Sequence, residues 1–198
     1  RESRRNKLFQ PRAEWLLDVV DEYFPHARQA IAVGYHNDLL IEELCRLEEN
    51  LFQVIVTNSI ADIEFAEVVL PQVKVQPASM DELSDLGSMD LFLAFDIVDR
   101  CADPNQLFAI AQKILTPGGL LLGTTTLGSG FDIQLLWEQA DGIYPPERMN
   151  LLSSIGLNNL CERHGFEVLE FSTPGMFDVE TVRHAVEANP DGYWPRFV

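Results

Sequence analysis

The sequence has 198 residues, 46% of them hydrophobic, and carries 31 acidic against 14 basic side chains for a net charge of −17. That length suits one domain with a sizeable core, and no apolar run approaches the ~20 residues that span a bilayer. A surface of this sign repels phosphate backbones and anionic lipid, which argues against nucleic acid and membrane as partners of the domain.

The positive charge is concentrated early, in Arg1, Arg4, Arg5, Lys7 and Arg12, so residues 1–10 read as a basic lead-in or linker. The chain starts at Arg1 rather than Met and finishes in a Pro-rich polar stretch, and a fragment at both ends is expected. Cys45, Cys101 and Cys161 lie far apart in apolar or helical stretches. They read as reduced, buried thiols of a cytoplasmic compartment, and they lack the spacing of a metal site.

Pro11 suits the first turn of a helix that turns Trp15, Leu16, Val19, Val20 and Phe24 to one side. Gln29–Val33 is a short strand ending at Gly34. Asp38–Glu49 is an amphipathic helix with Leu40, Ile41, Leu44 and Leu47 inward. Phe52–Thr57 is a second strand, Ile60–Leu70 a helix closed by Pro71, and Val73–Gln76 a third strand. Met89–Phe95 is a continuous apolar run of the kind that is buried on both faces. Asp103-Pro104 supplies a cap and a first-turn proline for the next helix. That helix is expected to end before Pro117-Gly118-Gly119, with a fifth strand at Leu120–Thr125. After an insertion come a helix near Leu151–His164, Gly165 as its C-terminal cap, and a sixth strand at Phe166–Phe171. Alternating strands and helices predict an α/β fold, a doubly wound, mostly parallel sheet covered on both faces.

Met89-Asp90-Leu91-Phe92-Leu93-Ala94-Phe95, Asp103-Pro104 and Ile114-Leu115-Thr116-Pro117-Gly118-Gly119-Leu120-Leu121, in this order, resemble the fourth strand, following helix and turn of the class I AdoMet-dependent methyltransferases. Asn6–Arg12, Gly130-Phe131-Asp132-Ile133, Tyr144–Asn150, Arg163–Val168 and Ser172-Thr173-Pro174-Gly175 are similar to a bacterial branch associated with saccharide and polysaccharide biosynthesis. The resemblance implies a Rossmann-like methyltransferase domain over 11–182, followed by a truncated extension at 183–198 that lacks the family's final antiparallel strand. A sixth strand left without that partner is an open edge, which makes a homodimer, or pairing with other segments of a larger chain, an expectation.

The same resemblance implies a cofactor, S-adenosyl-L-methionine (AdoMet), held by an acid-x-Gly-x-Gly-x-Gly turn after the first strand. This chain reads Ala32-Val33-Gly34-Tyr35-His36-Asn37-Asp38. It keeps one glycine, has Ala32 in place of the acid, and puts His36 and Asp38 where two further glycines stand. The carboxylate that accepts from the ribose hydroxyls is replaced by Thr57-Asn58, and the adenine-binding acid by Ser79, with Asp81 two residues on. The Glu-His pair after the fourth strand is Asp99-Arg100. The histidine of the Pro-Pro-Glu-His segment is Arg148, which has no accessible neutral form and is no general base.

The cofactor contacts implied are Gly34, Tyr35, Thr57, Asn58, Met80 and Asp81, with Asp99 as the base and no metal. Asp96 and Asp99 either pair as carboxylates at the carboxyl edge of the sheet or cap loops. Trp137 sits in the insertion where the family places its substrate lid. Two functions follow. One is methyl transfer to a small-molecule acceptor such as a saccharide from a degraded cofactor site. The other is an inactive pseudo-methyltransferase serving as a scaffold, dimerisation or regulatory domain.

Overall fold

A computed structural model describes residues 9–34, 38–47, 52–56, 74–76, 80–83, 85, 87–137, 140, 143, 145–173 and 176–188. The chain divides into two compact units, the first formed by Arg1–Val98 with Gln106–Thr125 and the second by Asp99–Asn105 with Thr126–Val198.

The first unit is built on a five-stranded parallel sheet. In chain order it contains α1 (Gln10–Tyr23), β1 (Ala30–Val33), α2 (Asp38–Leu47), β2 (Phe52–Val56), β3 (Lys74–Gln76), α3 (Met80–Leu83), β4 (Met89–Phe95), most of α4 (Pro104–Ile114) and β5 (Leu115–Thr124). The strand order is β3-β2-β1-β4-β5, with β1 beside both β2 and β4 in parallel register. β1 and β4 are central, and their sequences are apolar on both faces, as two covered faces require. Ala30, Ile31, Leu91, Phe92 and Leu93 have no exposed surface. This is the doubly wound α/β fold expected of the sequence.

Proline in the first turn starts α1, since its missing N–H is one the helix leaves unbonded there anyway. Leu16, Val19 and Val20 enter the core, while Trp15 and Phe24 pack against it. In α2, Leu40, Ile41 and Leu44 are buried, but Leu47 is 38% exposed. Leu47, the last described residue of the helix, does not take the inward position expected for it.

Asp90 ties the amino-terminal edge of the sheet. Its Oδ2 accepts from the backbone N–H groups of Arg28 (2.8 Å) and Gln29 (3.1 Å), and its Oδ1 accepts from Thr116 Oγ1 at 3.3 Å. One carboxylate thereby pins the entry to β1 and the start of β5 to β4, satisfying donors that would otherwise be left at a strand end.

Asp103 Oδ1 accepts from the Asn105 N–H at 2.8 Å, the cap expected before α4. The following turn departs from expectation. Pro117-Gly118-Gly119 lies inside β5, not ahead of it. Met89 pairs with Leu115 and Leu91 with Leu120, so the three residues bulge out of an otherwise continuous ladder. Gly118 takes φ +83°, and a Cβ on Gly119 would stand 2.9 Å from the Asp90 and Thr116 carbonyl oxygens. Only glycine fits that approach.

The second unit contains α5 (Phe131–Leu136), α6 (Ser154–Arg163) and α7 (Met176–Ala188). Its core joins Ile133, Leu136, Ala140 and Val182, with Leu151, Ala185 and Val186 against it. Ser153 caps α6 by accepting from the Gly156 N–H at 3.0 Å, and Gly165 leaves the helix at φ +78°, the left-handed exit glycine permits. The sixth strand expected at Phe166–Phe171 is not formed: this stretch has no ladder partner among the described residues. A strand is held by its neighbour's N–H and C=O groups, and its own pattern is not sufficient. α7 was not anticipated, and it runs through the 182/183 boundary expected from the sequence. The helix expected at Ile60–Leu70 lies outside the described residues.

Candidate functional site

In open parallel α/β sheets, ligands bind beyond the carboxyl ends of the strands. Val33 pairs with Ala94, and Ala94 with Gly123, so β1, β4 and β5 end side by side. The residues leaving these ends are Gly34, Asp96 and Thr125.

Gly34 has φ +144°, which an L residue adopts only with strain. The glycine retained from the family turn therefore has a backbone reason to be glycine. The turn leaves β1 without a charge, since Ala32 is 2% exposed and apolar. Tyr35, Thr57 and Asn58, the other contacts expected of the turn and ribose corner, lie outside the described residues. Met80 and Asp81 open α3, and their side chains are likewise not described.

Asp96 is the feature of this edge that sequence reasoning left undecided. It leaves β4 at φ +51°, a left-handed conformation uncommon outside glycine and tolerated best by Asn and Asp. Its N–H donates to the Thr124 carbonyl oxygen at 2.8 Å. Thr124 Oγ1 donates to Oδ1 at 3.0 Å, and Arg12 Nη1 of α1 lies 3.5 Å from Oδ2. The Arg12 and Asp96 side chains are 29% and 39% exposed. Both charges reach solvent, and their orientation is fixed by β5 and α1.

Asp99 belongs to the second unit and is enclosed, with 0% of its surface exposed. Arg148 Nη1 lies 3.2 Å from its Oδ2, but the angle is poor for a hydrogen bond. Both carboxylate oxygens are therefore buried without a well-directed donor among the described residues. The contact is an ion pair rather than a directed hydrogen bond. The Asp99 carbonyl oxygen accepts from the N–H groups of Met149 (2.7 Å) and Asn150 (3.0 Å), Asn150 Nδ2 donates to the Cys101 carbonyl at 2.6 Å, and Arg100 pairs with Glu147 at 2.9 Å. Two short segments, 99–101 and 147–150, are stitched together around the buried carboxylate. Sequence reasoning could not see this enclosure, because its partners are distant in the chain.

Trp137, in the insertion where the resemblance places a substrate lid, caps the carboxyl end of α5 at φ +51° with 68% of its surface exposed. Cys101 is buried, and burial pushes its thiol up to about 11. Cys161, expected to be buried, is only half-buried, its thiol also raised by burial. Cys45's side chain is not described.

Comparison with known proteins agrees with this architecture. The family profile described as "Methyltransferase domain" matches residues 13–171, and the chain belongs to that family. No curated protein sequence matches the chain. Among solved structures, a putative sarcosine dimethylglycine methyltransferase from Galdieria sulphuraria superposes with a TM-score of 0.65 at 15% identity, covering 92% of this chain and 72% of that one. The sugar N-methyltransferase KedS8 from Streptoalloteichus sp. ATCC 53650 gives 0.56 at 23% identity, over 66% and 53%. SAM-bound CalS10, an amino pentose methyltransferase from Micromonospora echinaspora, gives 0.53 at 18% identity, over 74% and 56%. These likenesses are of fold. The chain spans about half the length of KedS8 and of other matched structures.

Proposed function

We propose that this methyltransferase domain binds AdoMet at the carboxyl edge of β1 and β4, more weakly than a site with the full glycine turn, and directs methyl transfer to a small-molecule acceptor of the saccharide class. AdoMet supplies a methyl group on a cationic sulfur, a reaction that asks the protein mainly for positioning. The observation that carries the reading is Gly34, which leaves β1 at φ +144°, a conformation that favours glycine, although the neighbouring charge is gone. The sugar methyltransferases among the structural matches support the acceptor class. Replacing charged contacts by neutral ones costs about 1 kcal/mol each, and several such losses compound into orders of magnitude in affinity.

The enclosure of Asp99 favours a second reading, a pseudo-methyltransferase retained as a scaffold or regulatory domain. In that reading Asp99 holds its loop through Arg148 and presents no base to an acceptor. Isothermal titration calorimetry with AdoHcy and AdoMet separates the two. Dissociation constants in the micromolar range support the enzyme, whereas no heat and no thermal shift at millimolar ligand leave the scaffold.

A further inference from the structure

Segments 99–101 and 147–150 meet through two crossed ion pairs, Asp99–Arg148 at 3.2 Å and Arg100–Glu147 at 2.9 Å. From this arrangement we infer that 147–150 is an autoinhibitory latch. It opens as a unit, and Asp99 meets solvent or an acceptor only while it is open. The inference concerns the second unit alone and does not depend on AdoMet binding.

Each segment supplies an acid followed by an arginine, and each acid pairs with the arginine of the other. Both arginines stand where the resembled family has histidine, so the crossed pairs belong to this chain rather than to the resemblance. A guanidinium keeps its charge where an imidazole loses it, so the pairs persist through the neutral range. Backbone adds to the hold, since the Asp99 carbonyl oxygen accepts from the Met149 and Asn150 N–H groups. Asn150 Nδ2 donates to the Cys101 carbonyl oxygen.

The same closed state is built to open short of unfolding. Little apolar surface holds the segment down, because Met149, its one large apolar side chain, is 55% exposed. Closure leaves both Asp99 carboxylate oxygens and Arg100 Nε buried without a hydrogen-bond partner among the described residues. Groups desolvated in this way gain most from water, and opening returns both members of each pair to it together. Segments with few apolar contacts open locally, ahead of the global transition.

Residue-resolved hydrogen exchange on the native protein tests the latch, with carbodiimide and glycinamide as a second probe that reads carboxylate access. The Met149 and Asn150 amides are expected to share one protection factor, on the order of a hundredfold below that of Leu93 in β4. Low urea should leave their exchange unchanged while it accelerates that of Leu93, because a local opening exposes little surface. Asp99 should be amidated in the native protein, far more slowly than the exposed Glu167. Glu147→Gln should speed both readouts by about threefold. Met149 and Asn150 amides that follow Leu93 in rate and urea dependence overturn the latch, as does an Asp99 left unlabelled until denaturation. Unprotected amides, or labelling of Asp99 as fast as Glu167, show no closed state and overturn it equally. A Glu147→Gln variant that moves neither readout removes the ion pairs as the hold and the inference with them. Calorimetry reads AdoMet binding separately, so the two proposals fail independently.

Discussion

Arg148 and Asp99 form an ion pair across 3.2 Å in which one partner is fully enclosed and the other is 22% exposed. The asymmetry decides what each substitution does. Removing Arg148 strands a buried carboxylate, whereas neutralising Asp99 leaves a guanidinium that can still reach water. Arg148→Gln is expected to lower unfolding free energy by about 3 kcal/mol and Asp99→Asn by about 1 kcal/mol. Urea denaturation of the two variants measures the difference, and equal losses would mean that the pair does not hold the 99–101 and 147–150 segments together.

Gly34→Ala should lower stability by about 1–3 kcal/mol, the usual cost of forcing a Cβ-bearing residue into a strained backbone region. The same change should weaken AdoHcy further than stability alone accounts for. Thermal melts with and without AdoHcy check both effects, and an unshifted melt would show the turn relaxing to an ordinary conformation.

A Cβ on Gly123 would overlap the carbonyl oxygen of Ala94 on the neighbouring strand. Backbone cannot yield as a side-chain tip does, so Gly123→Ala is expected to cost about 2 kcal/mol or more. Gly87→Ala makes a contrast, since no atom of the described residues lies within 4 Å of its would-be Cβ and its φ of +88° is what resists the change. Chemical denaturation of the two should rank Gly123→Ala as the more harmful.

Burial raises the Cys101 thiol to about 11 from 9.0. An acid whose folded pKa is raised stays protonated longer in the native state, so its contribution to stability is complete below pH 9 and declines as pH climbs from about 9 to about 11. At pH 8, iodoacetamide should label the half-buried Cys161 well before Cys101. Peptide mapping after brief labelling reads the order directly.

The central strands were legible because β1 and β4 are apolar on both faces, a pattern few other elements share. Pro11 and Asp103-Pro104 marked helix starts through chemistry that acts within a few residues. Phe166–Phe171 looked like a strand by composition, yet a strand exists only with a neighbour, which the sequence does not display. α7 escaped notice because Val182 is the one deeply buried residue among its described side chains, so its helical pattern is faint. In the site, Gly34 was readable from its neighbours, while the opposite fates of Asp96 and Asp99 were not. One is held open by Thr124 and Arg12 and the other is closed by Arg148, contacts made across long stretches of chain.

The bulge at Pro117-Gly118-Gly119 also works as a parity device. It places three more residues on β5 than on β4 between matched pairs, and an odd number reverses which side chains face each way along a strand. Leu120 and Leu122 face the core on that account. Losing one residue from the bulge would turn them over and bring Leu121 and Gly123 into their places, whereas losing two would preserve the facing and only shorten the detour. The length of this turn is thus constrained in steps of two, and single-residue insertions or deletions there are expected to be far less tolerated than double ones.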